Sequence, residues 1–146
     1  MAVGGQGSRR RARECALQVL YSLDLNPGWS ADQALATFWR DFSEGPDVDA
    51  QAVGFAEQLV RGTVDHLAEL DRVIQAASKN WRLERMARVD RNILRLATYE
   101  LHHEPEVPAK VVINEAIEVA KRFGTAESPA FVNGLLDRIS QEASRP

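Results

Sequence analysis

Residues 86–108 read MARVDRNILRLATYELHHEPEVP, and this stretch decides the fold class. Met86, Ile93, Leu94, Ala97 and Leu101 recur at the intervals that put side chains on one face of a helix, and Pro105 and Pro108 close it. The same period extends in both directions. Pro108 can occupy the first turn of a further helix whose inward positions are Val112, Ile113, Ala116, Ala120 and Phe123, with Gly124 as its C-cap. Ser128-Pro129 then serves as N-cap and first helical residue for a last face of Phe131, Val132, Leu135, Leu136 and Ile139. Upstream, Trp81 and Leu83 lead into the central helix. Before them, Val53, Ala56, Leu59, Val60 and Thr63 are continued by Leu67, Leu70, Ile74 and Ala77, with a break expected near Asp65 because the run exceeds the usual globular helix. Ser30 and Gln33 form a capping-box pattern ahead of Ala34, Leu35, Phe38 and Phe42, and Ser43 to Pro46 ends that helix. The first helix is expected from Ser8 as N-cap, with Ala12, Ala16, Val19, Leu20 and Leu23 on one face and Asn26-Pro27-Gly28 as its stop. Period-two alternation bounded by hairpin turns is absent, so the expectation is an all-α protein of about seven helices.

The chain's 146 residues are 45% hydrophobic and 27% charged, enough for one real core without metal or disulfide staples. Residues 1–8 are expected to be a flexible tail and residues 9–146 a single domain. No apolar run is long enough to span a bilayer, and the N-terminus has no apolar signal core, which suggests a cytoplasmic protein with no membrane partner. Cys15 stands alone and is expected to be a buried, inert thiol. The net charge of −3 hides an asymmetry: residues 1–13 carry four arginines and no acid, leaving −7 on the rest. Arg9, Arg10, Arg11 and Arg13 cluster on the opening turns of the first helix, where cations oppose the macrodipole, so the cluster points to an anionic ligand. Phosphate is the obvious candidate.

Spacings that carry enzymatic chemistry are missing: there is no phosphate-cradling glycine loop, no HExxH and no GxSxG elbow. No enzyme, cofactor or metal is expected. His102 and His103 are adjacent, so their side chains diverge by about 100° on a helix and do not readily share one ion. Glu115 and Glu118, within one turn, read as a solvated face.

The residues that frame this pattern resemble one known family. Arg9-Arg10-Arg11-Ala12-Arg13-Glu14-Cys15-Ala16 running on to Leu20-Tyr21-Ser22, Asp90-Arg91 through Ile93-Leu94-Arg95-Leu96-Ala97 to Tyr99-Glu100-Leu101, Lys110-Val111-Val112-Ile113-Asn114-Glu115-Ala116-Ile117-Glu118, Phe123-Gly124, and Phe131-Val132-Asn133-Gly134 are similar to the NusB family of bacterial transcription antitermination factors. The resemblance covers nearly the whole chain and is weakest over residues 25–50. It implies a compact all-helical fold of two packed three-helix subbundles preceded by a first helix with its arginine-rich head, and a factor that binds boxA single-stranded RNA together with the small-subunit ribosomal protein NusE. It further implies assembly with other Nus factors on RNA polymerase, chiefly on ribosomal RNA operons.

On that resemblance the RNA-contact candidates are Arg9, Arg10, Arg11, Arg13 and Tyr21, joined by Lys121, Phe123, Glu127 and Ser128 around the loop after Gly124. Unpaired bases call for aromatic stacking beside phosphate contacts, which such a loop and its rings offer. Trp81, Glu84, Arg88 and Asp90 are the candidates for the protein partner, where an acidic surface would orient a basic ribosomal protein. Three alternatives stand beside this. A NusB-like module also precedes some RNA methyltransferases, but a chain ending at Pro146 is expected to lack the methyl-donor domain. A helix-turn-helix DNA binder would want its basic residues on a recognition helix rather than at the extreme N-terminus. A self-associating helical protein without antitermination activity, including a homodimer, is the third.

Overall fold

The computed structural model describes residues 6–42 and 48–143, and every described element is helical. The chain divides into two compact units at Val64/Asp65. The first holds α1 (Gln6–Leu25), α2 (Ala31–Asp41) and α3 (Ala50–Asp65, whose last residue counts with the second unit). The second holds α4 (Leu67–Ala77), a single 3-10 turn at Leu83–Arg85, α5 (Arg88–His103), α6 (Ala109–Phe123) and α7 (Ser128–Ala143). The seven helices among the described residues agree with the expectation, including the break at Asp65.

In the first unit, Ala12 and Cys15 of α1 and Ala52 and Ala56 of α3 form a buried cluster of small side chains, and Phe38, Trp39, Phe42, Val48 and Phe55 pack around it. Cys15 is buried, as expected. Ser30 and Gln33 complete the capping box: Gln33 N–H donates to Ser30 Oγ at 3.1 Å and Ser30 N–H to Gln33 Oε1 at 2.9 Å. Asp49 caps α3 by accepting from Ala52 N–H at 2.9 Å. Ser8 does not cap α1. The helix already runs from Gln6, and the Ser8 hydroxyl donates to Asp49 Oδ1 at 3.4 Å instead, joining the starts of α1 and α3. Of the expected tail, residues 6–8 are therefore helical, while residues 1–5, like the expected stop at 43–46, lie outside the described residues.

In the second unit, α5, α6 and α7 pack against one another and α4 lies on α5 and α7. The core is the stripe read from the sequence: Ile93, Leu94, Ala97, Val112, Ala116, Ala120, Val132, Leu136 and Ile139 are all buried. Fully burying each Leu or Ile stabilises the unit by about 1.5–3 kcal/mol. Arg95 of α5 grips Asp71 of α4 through two bonds, Nε to Oδ1 at 2.8 Å and Nη2 to Oδ2 at 2.9 Å. Glu115 departs from expectation: it is 2% exposed and has partners, so it belongs to the interior while Glu118 stays half-exposed. The turn at Leu83–Arg85 also interrupts the helix expected to follow Trp81, and α5 begins only at Arg88.

Candidate nucleic-acid interface

The arginines of α1 rest on aromatic rings. The Arg9 guanidinium carbon lies 4.4 Å from the Phe55 ring centroid and that of Arg13 5.4 Å from the same ring, while Arg11 lies 5.4 Å from Phe42. These distances fall within the range for cation–π attraction. Phe42 in turn stacks on Phe38 at 5.1 Å and meets Trp39 edge-on at 5.7 Å, and the Trp39 indole N–H donates to Glu57 at 3.1 Å. Arg11 also pairs with Glu14 at 3.1 Å. The rings hold the guanidinium planes without neutralising them. Exposure divides the set: Arg9 is open, Arg10 and Arg11 are half-buried, and Arg13 is only 4% exposed. Tyr21, on the same helix, is exposed.

Sequence reasoning missed the rings. Phe42 reads as an ordinary core position, and Phe55 sits beside the apolar stripe of α3 rather than on it. A large aromatic out of register with its helix's stripe was the available signal.

In the second unit, Gly124 ends α6 with φ −98°, an ordinary value, so its lack of a side chain answers to space rather than to conformation. A Cβ there would come within 2.6 Å of Ser128 Cβ and closer still to Ser128 Oγ. Ser128 is the first residue of α7 and is 1% exposed. Its hydroxyl accepts from Thr125 N–H at 2.9 Å, reaching back into the loop rather than forward as the expected N-cap. The 124–128 loop is thereby closed, with Thr125, Ala126 and Glu127 exposed at its tip. Glu127 accepts from the Thr125 hydroxyl at 3.3 Å. Phe123 is half-buried, with the Arg122 guanidinium carbon 5.3 Å from its ring, and Lys121 is exposed and paired with Glu118 at 3.3 Å.

Trp81 and Asp90 line one pocket of about 260 Å³ together with Arg85, Met86, Ala87, Glu127 and Phe131. Trp81 is 56% exposed although its backbone is pinned: Gln75 Nε2 and Ser78 Oγ each donate to the Trp81 carbonyl at 2.9 Å, and Leu83 N–H donates to Gln75 Oε1 at 2.7 Å. A rigid loop thus offers an open indole, the side-chain type most often found anchoring interfaces. The buried Oδ1 of Asp90 has no hydrogen-bond partner among the described residues. Glu84, on the 3-10 turn, is held by Arg82 at 2.7 Å and its carboxyl stays below the usual carboxylate range, chiefly because of that hydrogen bond. Arg88 opens α5 and is exposed. The pocket also links Glu127 to the residues expected for the protein partner, a juxtaposition of α5 with the loop before α7 that no local spacing encodes.

Helices throughout the described residues, an arginine head on aromatic rings in the first unit and a pocket beside an open tryptophan in the second define the class: an all-helical protein. The NusB family pattern matches residues 10–141, and the chain belongs to that family. It is 49% identical over 140 residues to the transcription antitermination protein NusB of Myxococcus xanthus, covering 96% of this chain and 99% of that one. Among solved structures it resembles NusB of T. maritima, with a TM-score of 0.82, 40% identity, and 92% and 91% of the two chains covered. It also resembles a chain in the crystal structure of antitermination factors NusB and NusE in complex with dsRNA, with a TM-score of 0.83, 26% identity, and 94% and 99% covered.

Proposed function

We propose that this chain is a transcription antitermination factor that binds boxA-type single-stranded RNA together with NusE and joins the other Nus factors on RNA polymerase, chiefly on ribosomal RNA operons. The observation that carries it is the ring-backed arginine head of α1 in a member of the NusB family. Arg9, Arg10 and Arg11 meet phosphates, Arg13 and Phe55 hold them in place, and Tyr21 offers a ring to a base. Lys121, Phe123, Glu127 and the loop closed by Ser128 supply further RNA contacts, so that residues 9–146 act as one RNA-binding domain. NusE docks on the surface around Trp81, Glu84, Arg88 and Asp90. The protein works in the cytoplasm by binding, without covalent chemistry. No helix among the described residues is long and apolar enough to cross a membrane.

The test is an anisotropy titration of labelled boxA RNA at two salt concentrations, with and without NusE. Affinity should rise when NusE is added, and the log–log salt slope should be about −0.7 for each phosphate neutralised. Equal affinity for a base-scrambled RNA of the same length, in the presence of NusE, would overturn the proposal.

A further inference from the structure

All three histidines of the chain gather around one carboxylate. His66, the N-cap residue of α4, and Glu69, in the first turn, are three apart and so share a helical face. His103, in the last turn of α5, brings its ring to 4.0 Å from that of His66, and its Nε2 lies 3.3 Å from both Glu69 oxygens. One ligand atom from each of the three residues lies within 4.8 Å of the other two. The adjacent pair His102–His103 diverges as expected, with ring centroids 6.4 Å apart, so the fold supplies His103 with a different histidine from 37 residues upstream.

We propose that His66, Glu69 and His103 bind one divalent transition metal ion of the zinc class. The two distances of 3.3 Å exceed the roughly 2.7–2.9 Å of a good charge-assisted hydrogen bond. They match the edge of a coordination tetrahedron, about 3.3–3.4 Å for metal–ligand bonds of about 2.0–2.1 Å. Two imidazoles and one carboxylate suit zinc, cobalt or nickel and not calcium or magnesium, which want oxygen. Tyr99 stacks on His103 at 5.4 Å and orients it. Three protein ligands leave a fourth position for water or for a donor from another molecule. All three residues are half-buried, so an ion can enter without unfolding the site.

The experiment is calorimetric titration of tag-free, EDTA-treated full-length protein with zinc chloride, paired with the visible spectrum of the cobalt(II) form. One equivalent of zinc should bind, cobalt should give the absorption of a tetrahedral complex, and EDTA should reverse both. His66→Asn, Glu69→Gln and His103→Asn should each raise the zinc dissociation constant at least tenfold, whereas His102→Asn should change it less than threefold. Asn is well accommodated at a helix N-cap, so His66→Asn retains the fold even if His103→Asn does not. Absence of stoichiometric zinc binding overturns the proposal, as does unchanged affinity in His66→Asn or an equal loss in His102→Asn.

Discussion

Arg9 and Arg13, one turn apart on α1, address the same ring of Phe55, at 4.4 and 5.4 Å. The first is exposed and the second buried, so two residues of one type at helical spacing have different surroundings, and the proposed function gives them separate tasks. Arg9→Ala should weaken RNA binding and flatten its salt dependence by about 0.7 in the log–log slope while leaving the melting temperature nearly unchanged. Arg13→Ala should lower stability by about 1–3 kcal/mol, because it removes a buried, partnered cation and its packing. Urea denaturation and RNA titration of the two variants separate the tasks, and identical profiles would contradict the division.

Gly124→Ala should destabilise the second unit by about 1–3 kcal/mol, since the new methyl meets Ser128 and the loop must shift. In a Ser128→Gly background the clashing atoms are gone and the same substitution should cost much less. A double-mutant cycle by chemical denaturation measures this, and additive costs would show the contact to be irrelevant.

Asp71→Ala should cost about 2 kcal/mol by leaving the Arg95 guanidinium, whose side chain is 11% exposed, without its bidentate partner. Removing Arg95 as well should recover part of that loss. The coupling energy from the four-protein cycle is the readout, and a value near zero would assign α4–α5 cohesion to apolar packing alone.

The Tyr99 phenol is pushed up to about 12, first by burial and then by its hydrogen bond to Glu104 at 2.9 Å. A hydroxyl raised in the folded state from about 10 in the unfolded chain favours folding below pH 10, and that contribution is lost as pH rises from about 10 through 12. Wild type should therefore lose on the order of 2 kcal/mol more than Tyr99→Phe across this window. Denaturation midpoints of the two proteins on a pH series from 8 upward provide the check, and parallel curves would remove Tyr99 from the account.

Trp81→Ala should weaken NusE binding tenfold or more with little change in stability, because the indole is open while its backbone is held by Gln75 and Ser78. Gln75→Ala, which keeps the indole but removes the bonds to the Trp81 carbonyl and the Leu83 N–H, should weaken the same interaction less, by loosening the loop. Calorimetry with purified NusE distinguishes the two, and undiminished affinity in Trp81→Ala would move the docking surface elsewhere.

The helix order was legible because burial on a helix repeats every three or four residues, a signal carried by neighbours in the chain. The stripes of α3, α5, α6 and α7 follow from it, and the capping box at Ser30 and the break at Asp65 were equally local, carried by the Ser30–Gln33 spacing and by the length of the run. Glu115 was misjudged for the complementary reason: charge suggests solvent until a neighbouring helix supplies the partners that admit it to the core. Ser8 and Ser128 failed as caps because tertiary neighbours, Asp49 and the folded-back loop, compete for their hydroxyls.

By itself the sequence determined the helices, their inward faces, the arginine head and the family, since each depends on residue type and local spacing. Only the tertiary structure decided which arginine is buried, that Phe42 and Phe55 lie beneath the cluster, that Glu127 shares a pocket with Trp81, and that His66 meets His103. Those pairings join residues from 31 to 46 positions apart, and local periodicity carries no information about which helix faces which.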